Sequence, residues 1–200
     1  TFDAVQVGTS RADLLTNLEA LKRLALNGLV RIRTGDFSDR EYLGRASIDA
    51  GLIGPWMSSV AHTLRFEFSC PDPLAQGLSD LVVDFTAGAT QIPLGTGPSR
   101  PILRVGNVTN PTITHRNAAT AIVGQMRLTI TLGGSEWVDI DCEKQTIVDD
   151  QGANQVGTLN VADDFIVLDP YDATDVDGPW PTLAVSGGTL ADCTYRKRYL

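Results

Sequence analysis

The chain has 200 residues, of which 42% are hydrophobic and 20% charged, enough for one large or two small folded domains. Its formal net charge of −8 argues against tight binding to nucleic acid, because such binding needs clustered lysines and arginines. No apolar run approaches the roughly 18 residues that a membrane helix requires, and the first residues lack the basic and apolar regions of a signal peptide. No membrane association is therefore expected.

The cysteines argue against cross-linking. Cys70, Cys142 and Cys193 are widely spaced and form no Cys-x-x-Cys pair. An odd number without close pairs is typical neither of a disulfide framework nor of a zinc site. Cys70 and Cys142 continue the apolar faces of predicted strands, so we expect small core residues in a protein made in a reducing compartment. The sequence predicts neither a metal nor a cofactor.

One strong helix is predicted, over residues 10–28. Ser10 followed three residues later by Asp13 is typical of a helix N-terminus, and Gly28 is typical of a C-terminal stop. Within the helix, apolar residues recur at helical spacing and predict a single buried stripe. Its members are Leu14, Leu18, Leu21 and Ala25.

Strands are predicted after the helix. Residues 29–35 alternate between apolar and polar side chains, a polar loop follows over residues 36–42, and a short strand lies near residues 44–48. Residues 62–70 form the clearest strand of this half. That strand is predicted to end at Pro71, because proline donates no hydrogen bond to a sheet.

The composition changes between Leu74 and Pro101, where glycine, proline, serine and threonine accumulate. Such a stretch is typical of a connection between domains. We place the junction near Ala87–Gly97, which gives a first domain of residues 1–90 and a second of residues 91–200.

The second half alternates with a period of two, as half-buried antiparallel strands do. Gly133-Gly134 is interpreted as a tight hairpin turn between two such strands, because glycine adopts positive φ easily. Several strands joined by short turns predict a β-sandwich, and the predicted fold class is mainly β with one helix. The side chains predicted to face inward on the two strands are Met126, Leu128, Ile130, Leu132, Val138, Ile140 and Cys142.

No convincing catalytic constellation accompanies these strands. Asp139 and Asp141 share one strand face about 7 Å apart, at roughly 3.4 Å per residue, a spacing that could serve glycoside hydrolysis. Solvent-facing strands commonly carry such pairs, however, and nothing in the sequence converges on this one. Asp175 and Asp177 resemble part of a calcium loop whose first and last ligands would be alanines. We therefore predict no catalytic residues and no enzymatic activity.

Five segments, taken in chain order, carry a family resemblance. They are Phe66–Leu74, which contains an Asp-Pro dipeptide, Leu94–Ile102, Val105–Ile113, Leu132–Asp141 with its glycine, glutamate and Ile-Asp pattern, and Thr194–Leu200. Each segment is weakly specific by itself, and their order along nearly the whole chain carries the signal. In this order the chain resembles the distal tail proteins of long-tailed, siphovirus-like bacteriophages.

The resemblance implies both a fold and a role. It implies an α+β belt domain followed by a galectin-like antiparallel β-sandwich. It further implies a virion structural protein that is assembled in the host cytoplasm and located at the tail tip. There it would form a hexameric ring, join the tail tube protein to the tail-tip or baseplate hub proteins, and let DNA pass without specific binding.

The same interpretation gives candidate site residues in the first domain. Arg31 and Arg33 are the candidate ring contacts, which we expect to meet acidic neighbours at the subunit boundary. The candidate channel loop carries Asp36, Asp39 and Glu41. We expect a channel wall that is not net basic, because a basic wall would hold DNA by releasing counterions.

Two other functions stay open. A carbohydrate-binding β-sandwich for host attachment would need aromatic platforms in one groove, whereas Trp56, Trp137 and Trp180 are far apart in the sequence. A tail-tube or tube-terminator protein would share the acidic, β-rich character but would lack a separate galectin-like domain.

Overall fold

The computed structural model describes residues 2–7, 9–26, 28–33, 35, 38–49, 61–169, 181–188 and 190–199. The chain divides into two compact units, Thr1–Ala75 and Gln76–Leu200. The predicted fold class, mainly β with one helix, is confirmed.

The first unit contains one helix and antiparallel strands. Its elements are β1 (Phe2–Val7), α1 (Arg11–Leu26), β2 (Leu29–Ile32), β3 (Arg40–Asp49) and β4 (Ala61–Ser69). β4 pairs with both β1 and β3, and β3 also forms a hairpin with β2. The prediction of a polar loop up to Tyr42 is wrong at its end. Pairing of Ile32 with Tyr42 extends the hairpin, so that β3 already begins at Arg40.

The helix begins where the sequence predicts. The backbone N–H of Asp13 donates to the Ser10 hydroxyl at 3.2 Å, and the Asp13 carboxylate accepts from the Thr9 N–H at 2.8 Å. These bonds satisfy amide groups that the first helical turn leaves without partners. After the helix, Gly28 has a φ of +91°, as a glycine stop requires. Of the predicted apolar stripe, Leu21 is half-buried, and the other three side chains lie outside the described residues.

The second unit contains two antiparallel sheets. Its elements are β5 (Ala75–Gly77, at the division), β6 (Leu81–Asp84), β7 (Thr90–Gln91), β8 (Ile102–Thr109), β9 (Thr112–Arg116), β10 (Ile122–Arg127), β11 (Thr131–Asp141), β12 (Thr146–Asp149), a 3₁₀ turn (Val156–Thr158), β13 (Thr182–Val185), β14 (Leu190–Tyr195) and β15 (Arg198–Tyr199). One sheet has the order β10-β9-β13-β7 and the other β12-β11-β8-β14-β6.

A single apolar core lies between these two sheets. Ile113 and Leu183 enter it from the four-stranded sheet, and Leu103, Val105 and Ile140 enter it from the five-stranded sheet; all five are fully buried. Burial of such side chains is the main source of stability in a two-sheet domain. Every inward side chain predicted from the alternation belongs to this core or packs against it.

The predicted hairpin turn at Gly133-Gly134 is wrong. β11 is one continuous strand, and both of its halves pair with β8: Leu132 with Val108, and Trp137 with Gly106. The four residues between these pairs form a bulge, in which Gly134 has a φ of +59° and Glu136 accepts a hydrogen bond from the Gly133 N–H at 2.8 Å. Positive φ occurs in some β-bulges and in hairpin turns, so the two glycines fit either structure.

The apolar alternation that begins in β10 passes from one sheet to the other. β10 pairs with β9 in the four-stranded sheet, whereas β11, three residues later, pairs with β8 in the five-stranded sheet. Met126, Leu128 and Leu132 all remain buried along this path. The chain between the strands therefore joins the two sheets without interrupting the core.

The observed division of the chain differs from the junction near residue 90. β6 pairs with β14 and β7 pairs with β13, so residues 81–91 belong to the second unit. The units also differ in charge: residues 1–75 carry nine acidic and eight basic side chains, net −1, whereas residues 76–200 carry 15 and eight, net −7. Within the described part of the chain, no helix is both long and apolar enough to cross a membrane.

Candidate interaction surface

The predicted ring-contact arginines lie on one face of the hairpin formed by β2 and β3. In this register Arg31 lies opposite Leu43, so Glu41 is diagonal to Arg31 and directly beside the position of Arg33. Arg31 Nη1 is 2.8 Å from Glu41 Oε1, and Arg33 Nη2 is 3.6 Å from Glu41 Oε2. Only the first distance is a hydrogen bond.

Burial is very unequal within this group. The Glu41 side chain is 3% exposed, whereas those of Arg31 and Arg33 are 58% and 60% exposed. A buried carboxylate is stable only when charges or hydrogen bonds compensate its lost hydration. The arginines therefore have a role within the chain, and the outward parts of their guanidinium groups still form a cationic surface.

The predicted channel-loop residues do not lie together in one loop. Glu41 lies in β3 and is buried, whereas Asp39 is exposed in the turn before β3, where it accepts a hydrogen bond from Arg40 Nε at 3.3 Å. Asp36 lies outside the described residues. Their assignment to a channel wall stays a prediction. Of the two residues that the structure describes, Asp39 has the exposure that such a wall needs.

The carboxylate pair on β11 is engaged in two ion pairs. Arg104 donates to both oxygens of Asp139 at 2.7 Å, and Lys144 Nζ donates to Asp141 at 2.7 Å. Burial acts to raise the pKa of Asp141, but hydrogen bonds from Lys144 and from the Glu143 backbone outweigh it and leave that pKa below its ordinary value. A catalytic acid needs a raised pKa, which Asp141 does not have.

Arg104 is the residue that sequence reasoning missed. Its guanidinium carbon lies 5.2 Å from the centre of the Trp137 ring, within the range of a cation–π contact. Register places Asp192 on the other side of Arg104, at the position opposite to Asp139. The partners lie 33, 35 and 88 residues away, so no local pattern could have shown the cluster.

The core of the second unit contains one histidine and two cysteines. His115 is fully buried with Nδ1 3.3 Å from the Thr182 carbonyl oxygen, and burial lowers its pKa. Burial raises the pKa of Cys142 to about 12 and raises that of Cys193 further, so both are thiols at neutral pH. The described residues contain no cluster of three or more potential metal ligands, and Asp175 and Asp177 lie outside them.

The basic C-terminal segment, residues 196–198, is not fully exposed. Arg196, Lys197 and Arg198 are all partly buried, and Arg196 Nε lies 2.8 Å from Asp80. The carbonyl groups of Lys197 and Arg198 accept hydrogen bonds from the amides of Gly77 and Gly97. These contacts use the segment for folding within the second unit.

Comparison with one solved structure supports the same architecture. The crystal structure of the Dit (gp 19.1) protein of phage SPP1, described as a paradigm of the hub adsorption apparatus in phages that infect Gram-positive bacteria, aligns with 99% of this chain and 77% of that chain, with 21% identity and a TM-score of 0.70. The chain has the fold of SPP1 Dit. A structure of the phage P2 baseplate in its activated conformation with Ca aligns with 98% of this chain and 79% of that chain, at 7% identity and a TM-score of 0.49. No family model and no curated protein matches the chain.

Proposed function

We propose that the chain is a structural protein of a phage tail, that it assembles as a hexameric ring at the distal end of the tail, and that it has no enzymatic activity. The observation that carries this proposal is the shared fold with SPP1 Dit over 99% of the chain. The ring joins the tail tube to the tail-tip or baseplate hub proteins and leaves a central opening for DNA.

The distribution of charge agrees with this role. A ring built from the first unit carries a net charge of −1 for each copy, whereas most of the negative charge, −7, belongs to the second unit. The wall of the ring's opening is then nearly neutral, and it neither binds DNA tightly nor repels it strongly, because affinity for DNA follows the number of phosphates that a protein neutralises. The ring thus lets a polyanion slide through its opening.

Arg31 and Arg33 are the proposed contacts between neighbouring copies. Their guanidinium groups hold Glu41 on one side and remain more than half exposed on the other, so a carboxylate of the next copy can reach them. Arg33 is the better candidate, because its 3.6 Å separation from Glu41 leaves its donors less engaged than those of Arg31.

The test is the assembly state of the purified full-length protein. We expect sedimentation velocity and negative-stain images to show a closed six-membered ring, and we expect Arg33→Glu to dissociate it into monomers that keep the circular dichroism spectrum of the folded protein. Arg116→Glu, in the second unit, is the matched charge-reversal control. A protein that stays monomeric at all concentrations, or rings that survive Arg33→Glu and not Arg116→Glu, would refute the assignment.

DNA passage has a separate test. We expect no shift of duplex DNA in a gel at about 0.1 M salt, since few phosphates can be neutralised. Micromolar binding that Arg31→Glu abolishes would instead support a nucleic-acid role for the hairpin.

A further inference from the structure

A groove of about 700 Å³ runs along the second unit outside its four-stranded sheet. One wall is β10, at the edge of that sheet, and the other is the extended segment from Ala162 to Asp169. The groove contains none of the residues that we assign to ring contacts or to the channel. Its chemistry therefore needs its own explanation.

Part of the β10 edge has no cover among the residues that the structure describes. Near its end the edge is closed, because the Arg127 N–H donates to Asp163 and the Arg127 carbonyl accepts from the Asn160 N–H. The Leu128 N–H points the other way, to Pro111 before β9. In an antiparallel strand the backbone groups of successive residues point alternately toward the two neighbouring strands, so those of Gln125, like those of Arg127, point away from β9. No backbone hydrogen bond from a described residue reaches the N–H and C=O of Gln125.

This open edge also lacks the usual protection against other strands. Exposed edges commonly carry charged residues or proline, whereas residues 122–126 read Ile-Val-Gly-Gln-Met. Ile122 and Val123 are 52% and 53% exposed, although neighbours in a regular strand point to opposite faces. A register shift between Ile122 and Gly124 explains why both are accessible. The edge combines free backbone groups with exposed apolar side chains.

The opposite wall is acidic. Asp164 and Asp169 line the groove and are exposed, whereas the carboxylate of Asp163 is bound by Arg127 at 2.8 Å and 2.9 Å. Two free carboxylates beside an apolar edge fit an occupant with positive charge. A second copy of the same strand would bring its own acidic wall and is disfavoured by repulsion.

We propose that the groove binds an extended, lysine- or arginine-bearing segment of a partner protein, which pairs with β10 as an added strand and places its cationic side chains beside Asp164 and Asp169. Strand addition obtains affinity from backbone hydrogen bonds and specificity from alternate side chains. The open edge, residues 122–125, accommodates about 14 Å of extended chain, at roughly 3.4 Å per residue. This proposal does not rest on the ring, since it concerns the second unit alone.

The test uses four labelled peptides in fluorescence anisotropy with the full-length protein. The first is Lys-Val-Thr-Val-Lys-Thr, and the second has glutamates in place of the lysines. The third and fourth have the sequence of the first with N-methyl groups on alternate amides, one peptide for each of the two possible phases. We expect the lysine peptide to bind at least about tenfold more tightly than the glutamate peptide. One phase of N-methylation should weaken binding about tenfold and the other should not, because only alternate amides face the added edge.

Protein variants separate strand pairing from general charge attraction. Asp164→Lys and Asp169→Lys, made singly, should each weaken binding of the lysine peptide about threefold, whereas Glu143→Lys, an equal change of charge on an exposed turn of the same unit, should have little effect. Gln125→Pro removes the outward amide and should weaken binding without changing the charge. Equal binding of both N-methylated phases, or equal effects of the Glu143 and Asp164/Asp169 variants, would overturn the proposal. Self-association of the protein that Gln125→Pro abolishes would also overturn it, in favour of a second copy.

Discussion

The contacts of Glu41 give the most demanding test of the first unit. Glu41 is buried, Arg31 reaches it with a hydrogen bond of 2.8 Å, and Arg33 approaches only to 3.6 Å. A hydrogen bond to a charged group stabilises by about 1.5–3 kcal/mol, and the 58% exposure of Arg31 favours the lower end of this range. Arg31→Ala should therefore lower the free energy of unfolding by about 1.5 kcal/mol, and Arg33→Ala by less than about 1 kcal/mol.

The variant that carries both Arg31→Ala and Arg33→Ala gives the more informative measurement. Removing both arginines leaves the Glu41 carboxylate buried without either guanidinium group, a change that costs about 3 kcal/mol or more. This cost exceeds the sum of the two single changes, since either arginine alone still neutralises the carboxylate. Adding Glu41→Gln to the double variant removes the buried charge and should restore most of the lost stability.

Thermal unfolding followed by circular dichroism, in dilute protein, measures these differences. About 1 kcal/mol shifts the midpoint by roughly 4–8 °C in a domain of this size, so the single variants are readily distinguished. The reasoning fails if Arg33→Ala costs as much as Arg31→Ala, if the double variant is merely additive, or if Glu41→Gln does not rescue it.

Three further predictions concern the second unit. Burial lowers the pKa of His115, because the neutral imidazole is favoured in the core. Its contribution to stability is therefore complete above the ordinary imidazole pKa of 6.5 and is lost as the pH falls below that value. His115→Leu should flatten this pH dependence in urea unfolding measured at several pH values. A side chain at Gly95 would meet the backbone of Arg198, so Gly95→Ala should lower the free energy of unfolding by about 1–3 kcal/mol. Gly157 has open space around it, so Gly157→Ala should leave the midpoint of thermal unfolding unchanged. Arg104→Ala should cost only about 1 kcal/mol, because the ion pair is half exposed, and should change the fluorescence of the tryptophan beneath it; unchanged fluorescence would argue against that contact.

Local signals predicted the regular elements well. The helix could be predicted because capping and periodicity both act within one stretch, from Ser10 to Gly28. The strand at Ala61–Ser69 and the inward faces of β10 and β11 could be predicted because alternation is itself the signature of half-buried strands.

Long-range pairing explains what the sequence did not show. The bulge at Gly133-Gly134 has the same local requirement as a turn, and only its pairing with β8 distinguishes the two. The division of the chain was misplaced because residues 81–91 pair with strands about 100 residues later. Of the candidate site, the face shared by Arg31 and Arg33 followed from alternation, but the burial of Glu41 beneath them depends on packing that no spacing reveals.

The position of β14 has a consequence for how the protein matures. β14 lies between β8 and β6, and it pairs Tyr195 with Leu81 across more than a hundred residues of chain. The five-stranded sheet therefore cannot close on the ribosome until the polypeptide through Tyr195 has emerged. Pairing between strands so distant in sequence makes the closure of this sheet a late and slow step of folding.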